Sequence, residues 1–305
     1  GTKMTKSEGY SRNPLHGLWA LTNRELKKWY KNPYLFILSI IQPLIWMGLF
    51  GRAMNIGAIL TSTPISIQPI PGVDPSVQAQ IIAALSSQFN ATKIMQDTFG
   101  TSDYFSYMSV GIVSFVTLFT TMFSGMSIVW DRRLGFLNKV LSTPVARGSI
   151  LMSKVFNAVI RSIIQAAIVL GFAFALGLKV GPDFTPTNLL GVFAAVFLIG
   201  MGLSSIFIAI AIRSTRWETQ MAVMNLLNLP LLFASNALFP TKLMPDWLQP
   251  VTKVNPITYL TDANRQLILY AIDMHQLAID FLFLGAFAVI FSAIGIVLSW
   301  RYLSR

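Results

Sequence analysis

Six long apolar runs dominate the chain, at 34–50, 105–130, 151–178, 189–212, 221–239 and 279–300, and almost no charge interrupts them. A hydrocarbon layer about 30 Å thick is crossed by roughly 20 apolar helical residues, and these runs are near that length or longer. Lipid offers the backbone no hydrogen bonds, so a run of this kind folds as a helix. Charged residues are 11% of the 305, against about 25% in a soluble domain, so the chain lacks the polar material for a water-facing surface. We expect an all-α, polytopic membrane protein with six transmembrane helices, residues 1–305 forming one transmembrane domain. Gln42-Pro43 is expected to kink the first run. A seventh candidate, 259–272, holds Asp262 and Arg265 in a short apolar stretch, and is expected to be partly immersed rather than spanning.

Ahead of the first run, Leu15, Leu18, Trp19, Thr22, Leu26, Trp29 and Tyr30 recur at steps of three or four, with Arg24, Lys27, Lys28 and Lys31 on the other side. This pattern predicts an N-terminal amphipathic interfacial helix over 14–31. Its Trp19 and Trp29 would dip toward the hydrocarbon while Arg24, Lys27 and Lys28 meet anionic lipid. The alternative is a helix with one face packed on protein. An even number of spans leaves both termini on one side. Putting that side in the cytoplasm places sixteen of the 23 basic residues inside, which is the bias that directs insertion. Segments 52–103 and 240–278 are then extracytoplasmic, and the expected location is the cell (cytoplasmic) membrane. The net charge of +11 is explained by this topology, with no nucleic acid as partner.

Absences narrow the chemistry. There is no cysteine, and the two histidines, His16 and His275, fall on opposite sides, so no metal site is expected. No Gly-x-x-x-x-Gly-Lys-Ser/Thr loop occurs to cradle phosphates, so the chain binds no cofactor of its own and is not expected to be an enzyme. With these boundaries every acidic residue lies in a loop or at a span end. That leaves no buried carboxylate for a coupled proton or sodium ion and disfavours an ion-driven transporter. Arg161 is the one strong cation within a run. It either snorkels to the cytoplasmic head groups or forms an ion pair or lining group inside an oligomer. Gln42, Asn225, Asn228 and Asn236 are uncharged polar residues in or near the runs, suited either to helix–helix hydrogen bonding or to a substrate path.

Two stretches carry a resemblance. One runs from Ser127 through Trp130-Asp131-Arg132-Arg133-Leu134-Gly135-Phe136-Leu137 and Leu141-Ser142-Thr143-Pro144-Val145-Ala146-Arg147 to Lys154. The other comprises Leu238-Phe239-Pro240, Met244-Pro245-Asp246-Trp247-Leu248 and Asn255-Pro256-Ile257-Thr258-Tyr259, closed by Arg265. Together with the basic helix and the six runs, the chain resembles the permease subunits of type-2 ATP-binding-cassette exporters, including the daunorubicin-resistance permeases. The resemblance implies a cytoplasmic coupling helix between spans 2 and 3, at about Arg132 to Leu141, that docks on a separate ATPase subunit. Phe136, Leu137, Val140 and Leu141 would supply its apolar stripe, Gly135 would lie within it, and Arg132, Arg133 and Lys139 would flank it. Thr143-Pro144 would end it, and Arg147 would follow. The sequence departs from the pattern at Arg133 and Asn138, where relatives often carry acidic residues, so this surface is more basic than usual. The resemblance also implies short re-entrant outer helices between spans 5 and 6, at about 244–251 and 259–272.

On this reading the chain is the permease of an ATP-driven exporter of an amphipathic or hydrophobic substrate, drug-like or lipid-linked. Its partners would be an ABC ATPase carrying ATP and Mg, a second permease copy or homologue, and membrane lipid. The alternative from another class is a non-transporting membrane scaffold or assembly protein.

Overall fold

The computed structural model describes residues 14–49, 68–88, 91–133, 147–214 and 216–303. Among these the regular structure is helical, with no strand. In chain order the helices are α1 (Pro14–Tyr30), α2 (Pro33–Trp46), α3 (Pro75–Gln88), α4 (Ala91–Phe99), α5 (Tyr104–Arg133), α6 (Arg147–Ala175), α7 (Asn188–Ala211) and α8 (Trp217–Phe233). A short 3₁₀ turn, Thr241–Leu243, precedes α9 (Gln249–Val254), α10 (Pro256–Ile268) and α11 (Met274–Leu303). Among the described residues four stretches are long and apolar enough to cross a membrane: Lys93–Val129, Ser149–Ala175, Asn188–Ala211 and Met274–Tyr302.

Two of the expected runs form shorter helices. Residues 34–50 fall on α2, which has 14 residues with Pro43 inside it and continues through a π turn over 47–49. Residues 221–239 fall on α8, which stops at Phe233. Pro230 lies three residues before that end and cannot donate to the helix ladder, and the backbone beyond is held from outside, as described below. Within segment 52–103 the described residues form α3 and α4. The seventh candidate corresponds to α10, whose 13 residues are too few to cross a bilayer.

Helix α5 is the central post. It packs on α6, α7, α8 and α10, while α11 lies outside against α7 and α10. Between lipid-immersed helices the apolar effect supplies little drive, so close backbone approach and interhelical hydrogen bonds matter more. Both are present: a Cβ added at Gly295 of α11 would strike the carbonyl of Ser205 on α7, and Ser114 of α5 shares a 2.6 Å hydrogen bond with Thr261 of α10. Two Asn-Pro pairs start helices in the same way. Asn32 accepts from the Tyr34 amide ahead of α2, and Asn255 accepts from the Ile257 amide ahead of α10. In each pair the asparagine satisfies an orphan donor and proline occupies the position that needs none. Just past the end of α6, Gly177 with a φ of 98° lets the Leu178 amide reach back to the Ala173 carbonyl at 2.9 Å.

Candidate functional site

Polar side chains gather at the two ends of α5. At its C-terminal end, Lys154 of α6 donates to the Glu25 carboxylate of α1 at 2.7 Å and to Ser127 of α5 at 2.8 Å. Arg24 adds a second cation to Glu25 at 3.2 Å. Burial raises the Glu25 pKa, but attraction to Lys154 and the hydrogen bond from it outweigh burial, and the net shift is downward. Thr22, Glu25 and Trp29 are buried at steps of three and four, so this stripe is the face of α1 that packs on α6. Trp29 therefore does not dip into lipid: its indole donates to Ser39 of α2 at 3.3 Å and lies under the Arg161 guanidinium, 5.1 Å from carbon to ring centroid. Trp19 remains 62% exposed, and Lys27 and Lys28 are exposed on the other side.

Arg161 shares a cleft of about 70 Å³ with Ser39, Gln42, Thr120 and Gln165, walled by Phe115, Phe119 and Phe123. Thr120 hydrogen-bonds Gln165 across it. The other polar residues marked for a substrate path do not join this group. Asn225 is exposed on α8. Asn228 is buried and donates to the Leu118 carbonyl and the Met122 sulfur of α5 at 3.4 and 3.2 Å. Asn236 lies at the opposite end of α5. Of the stretch expected to dock an ATPase, Arg132 and Arg133 are the last residues of α5 and Arg147 is the first of α6. Gly135, Phe136, Leu137, Lys139, Val140, Leu141, Thr143 and Pro144 lie outside the described residues.

At the N-terminal end of α5 the chain leaving α8 is caught by its carbonyls. Asn255 donates to the carbonyls of Leu231 and Ala234, both at 2.8 Å. Tyr107 donates to Asn236 and Tyr104 to Leu238, both at 3.2 Å. Arg265, only 1% exposed, donates to Ala237 at 2.6 Å, to Asn236, and to the Tyr107 carbonyl at 3.0 and 3.3 Å. Its guanidinium carbon sits 3.4 Å from the Tyr107 ring centroid. No carboxylate pairs with Arg265 among the described residues. Gly111 makes room, since a Cβ there would strike the Ala237 carbonyl and the guanidinium. Above this clamp opens a cavity of about 310 Å³ lined by Asp97, Asn236, Lys242, Asp262, Arg265 and Tyr270 among others.

The sequence puts Arg265 in the partly immersed 259–272 stretch and assigns it no holding role. The available signal was periodicity: Ile257, Leu260, Thr261, Asn264, Arg265 and Ile268 follow helical steps of three and four and are all buried. The expectation of no buried carboxylate is corrected at two positions. Glu25 is buried with its lysine. Asp280, fully buried near the start of α11, accepts from Gln276 at 3.0 Å, and the Asp262 carboxylate is a like charge nearby. Among the described residues no group of His, Cys, Asp and Glu is arranged to hold a metal.

Apolar helices long enough to cross a membrane, with the basic helix α1 at one end of α5 and the short helices α9 and α10 at the other, make this a multi-pass membrane protein. The profile of the ABC-2 type transporter family matches residues 16–269, and the chain belongs to that family. It is 29% identical over 249 residues to the ycf38 transport permease of Cyanophora paradoxa, covering 81% of this chain and 72% of that one. Its identity to the ycf38 transport permease of Pyropia yezoensis is 26% over 259 residues, covering 85% and 76%. The daunorubicin resistance ABC transporter permease protein DrrB1 of Streptomyces coeruleorubidus is 23% identical over 167 residues, 55% of this chain and 58% of that one.

Proposed function

We propose that this chain is the permease subunit of an ATP-driven exporter, carrying an amphipathic or hydrophobic substrate, drug-like or lipid-linked, out of the cytoplasm. The observation that carries this reading is the ABC-2 match over 16–269 in a chain with no phosphate-binding loop of its own. The engine is then a separate ATPase holding ATP and Mg, and a second permease copy or homologue completes the pathway. We further propose six spans, with α2 and α8 as the two short ones, and both termini in the cytoplasm of a cell-membrane protein. The stretch from Arg132 to Leu141 would dock on the ATPase.

The lock at Lys154 supports a mechanism. It sits seven residues into α6, just past the docking stretch, and joins α1, α5 and α6 through Glu25 and Ser127. Force delivered by the ATPases to the segment joining α5 and α6 would then reach all three helices as a unit. The test is a pull-down of the detergent-solubilised chain with vanadate-sensitive ATP hydrolysis as readout and Phe136→Asp as the control. Co-purification of an ATPase, released by the mutation, supports the reading. A wild-type chain that captures no ATPase under several mild conditions points to the membrane scaffold instead.

A further inference from the structure

Arg161 poses an electrostatic problem that no carboxylate among the described residues solves. It lies seven residues past Lys154, about 10 Å deeper along α6, inside a stretch apolar enough to span a membrane. Its Nε is buried with no hydrogen-bond partner, and no carboxylate pairs with it among the described residues. Glu25, which shares its field, is already taken by Lys154 and Arg24. The Trp29 face offers only a cation–π contact, worth about 0.5–2 kcal/mol. An unpaired cation out of water costs several kcal/mol, so a counter-charge delivered by a bound ligand would stabilise Arg161.

The surroundings define what brings it. Ser39, Gln42, Thr120 and Gln165 supply hydroxyl and amide groups beside the guanidinium, and three phenylalanines supply an apolar wall. Gln42 and Phe123, at the mouth, are exposed, as are Ile37, Leu38, Ile41 and Ile45 of α2 beside them. A guanidinium fork binds phosphate or carboxylate through paired, charge-assisted hydrogen bonds, and an apolar rim accepts a hydrocarbon tail. We propose that this cleft binds the anionic head, phosphate or carboxylate, of an amphiphile entering from the bilayer, with Arg161 as its counter-ion. Such an amphiphile is either a resident phospholipid or the transported cargo. The cargo case rests on the permease reading, whereas binding itself does not.

The chain purified in dodecyl maltoside is titrated with dioctanoyl phosphatidylglycerol and, separately, dioctanoyl phosphatidylcholine, and bound lipid is counted by native mass spectrometry. The expected result is one site preferring the anionic lipid by roughly tenfold, about 1.4 kcal/mol. Arg161→Gln abolishes that preference, Arg161→Lys keeps part of it, and Lys27→Gln with Lys28→Gln leaves it intact. The proposal is overturned if Arg161→Gln binds phosphatidylglycerol as the wild type does, or if only the Lys27/Lys28 pair removes the preference. Adding the partner ATPase and ATP separates the sources: faster exchange of bound phosphatidylglycerol marks cargo, and unchanged exchange marks a resident lipid. If no ATPase is ever captured, the lipid titration still stands as a test, so the two readings fail separately.

Discussion

Three charged residues carry consequences that their neighbours dictate. Arg265 holds three carbonyls with one planar fork, a geometry the single ammonium of lysine does not reproduce. Arg265→Lys is expected to cost about 2–4 kcal/mol by stranding buried acceptors, read as a lower thermal midpoint in detergent. Glu25 behaves differently because it titrates. Its folded-state pKa lies below the ordinary 4.5, so its contribution is fully present above that value and disappears as pH falls through the lowered one. Glu25→Gln is therefore expected to destabilise the protein by about 3 kcal/mol at neutral pH, because the buried Lys154 loses its carboxylate. In acid the gap between mutant and wild type closes, and a gap that stays constant down to strongly acid pH would refute the linkage. Asp280 runs the other way. It faces Asp262 and has no basic partner among the described residues, so Asp280→Asn is expected to leave thermal stability unchanged or raise it.

Helix-level structure shows what the sequence made legible and what it hid. Long runs with little charge announced α5, α6, α7 and α11, because length and apolarity alone decide whether a helix can cross lipid. The ends of α2 and α8 were not legible, since Pro43 and Pro230 are tolerated or obeyed according to which neighbours catch the freed carbonyls. The amphipathic pattern announced α1 but not the partner of its buried stripe. Trp29 reads equally well as a lipid anchor or a protein contact, and Ser39 and Arg161 decide the matter. The Asn255-Pro256 pair stood out by resemblance alone, and the structure gives it a physical task. Its asparagine starts α10 and grips the end of α8, so Asn255→Ala is expected to cost about 2 kcal/mol or more. Asn255→Asp, which keeps the helix-starting acceptor but loses the two donations, separates the tasks in a denaturation series.

For the molecule as a whole, topology is the property most open to direct test. The absence of cysteine makes single-cysteine labelling clean. With both termini in the cytoplasm, Ser7→Cys and Ser304→Cys are expected to resist an impermeant maleimide added to intact cells, and Ser62→Cys to react. Labelling of only one terminus would require an odd number of spans. The clamp at the far end of α5 has a different bearing, on how such a protein changes over generations. Arg265, Tyr104, Tyr107 and Asn255 grasp peptide carbonyls at 231, 234, 236, 237 and 238, and every amino acid supplies a carbonyl. The mooring thus fixes the path of the backbone whatever the exposed side chains beside it, such as Phe239, become, while the buried Ser235 and Ala237 stay bound by their packing.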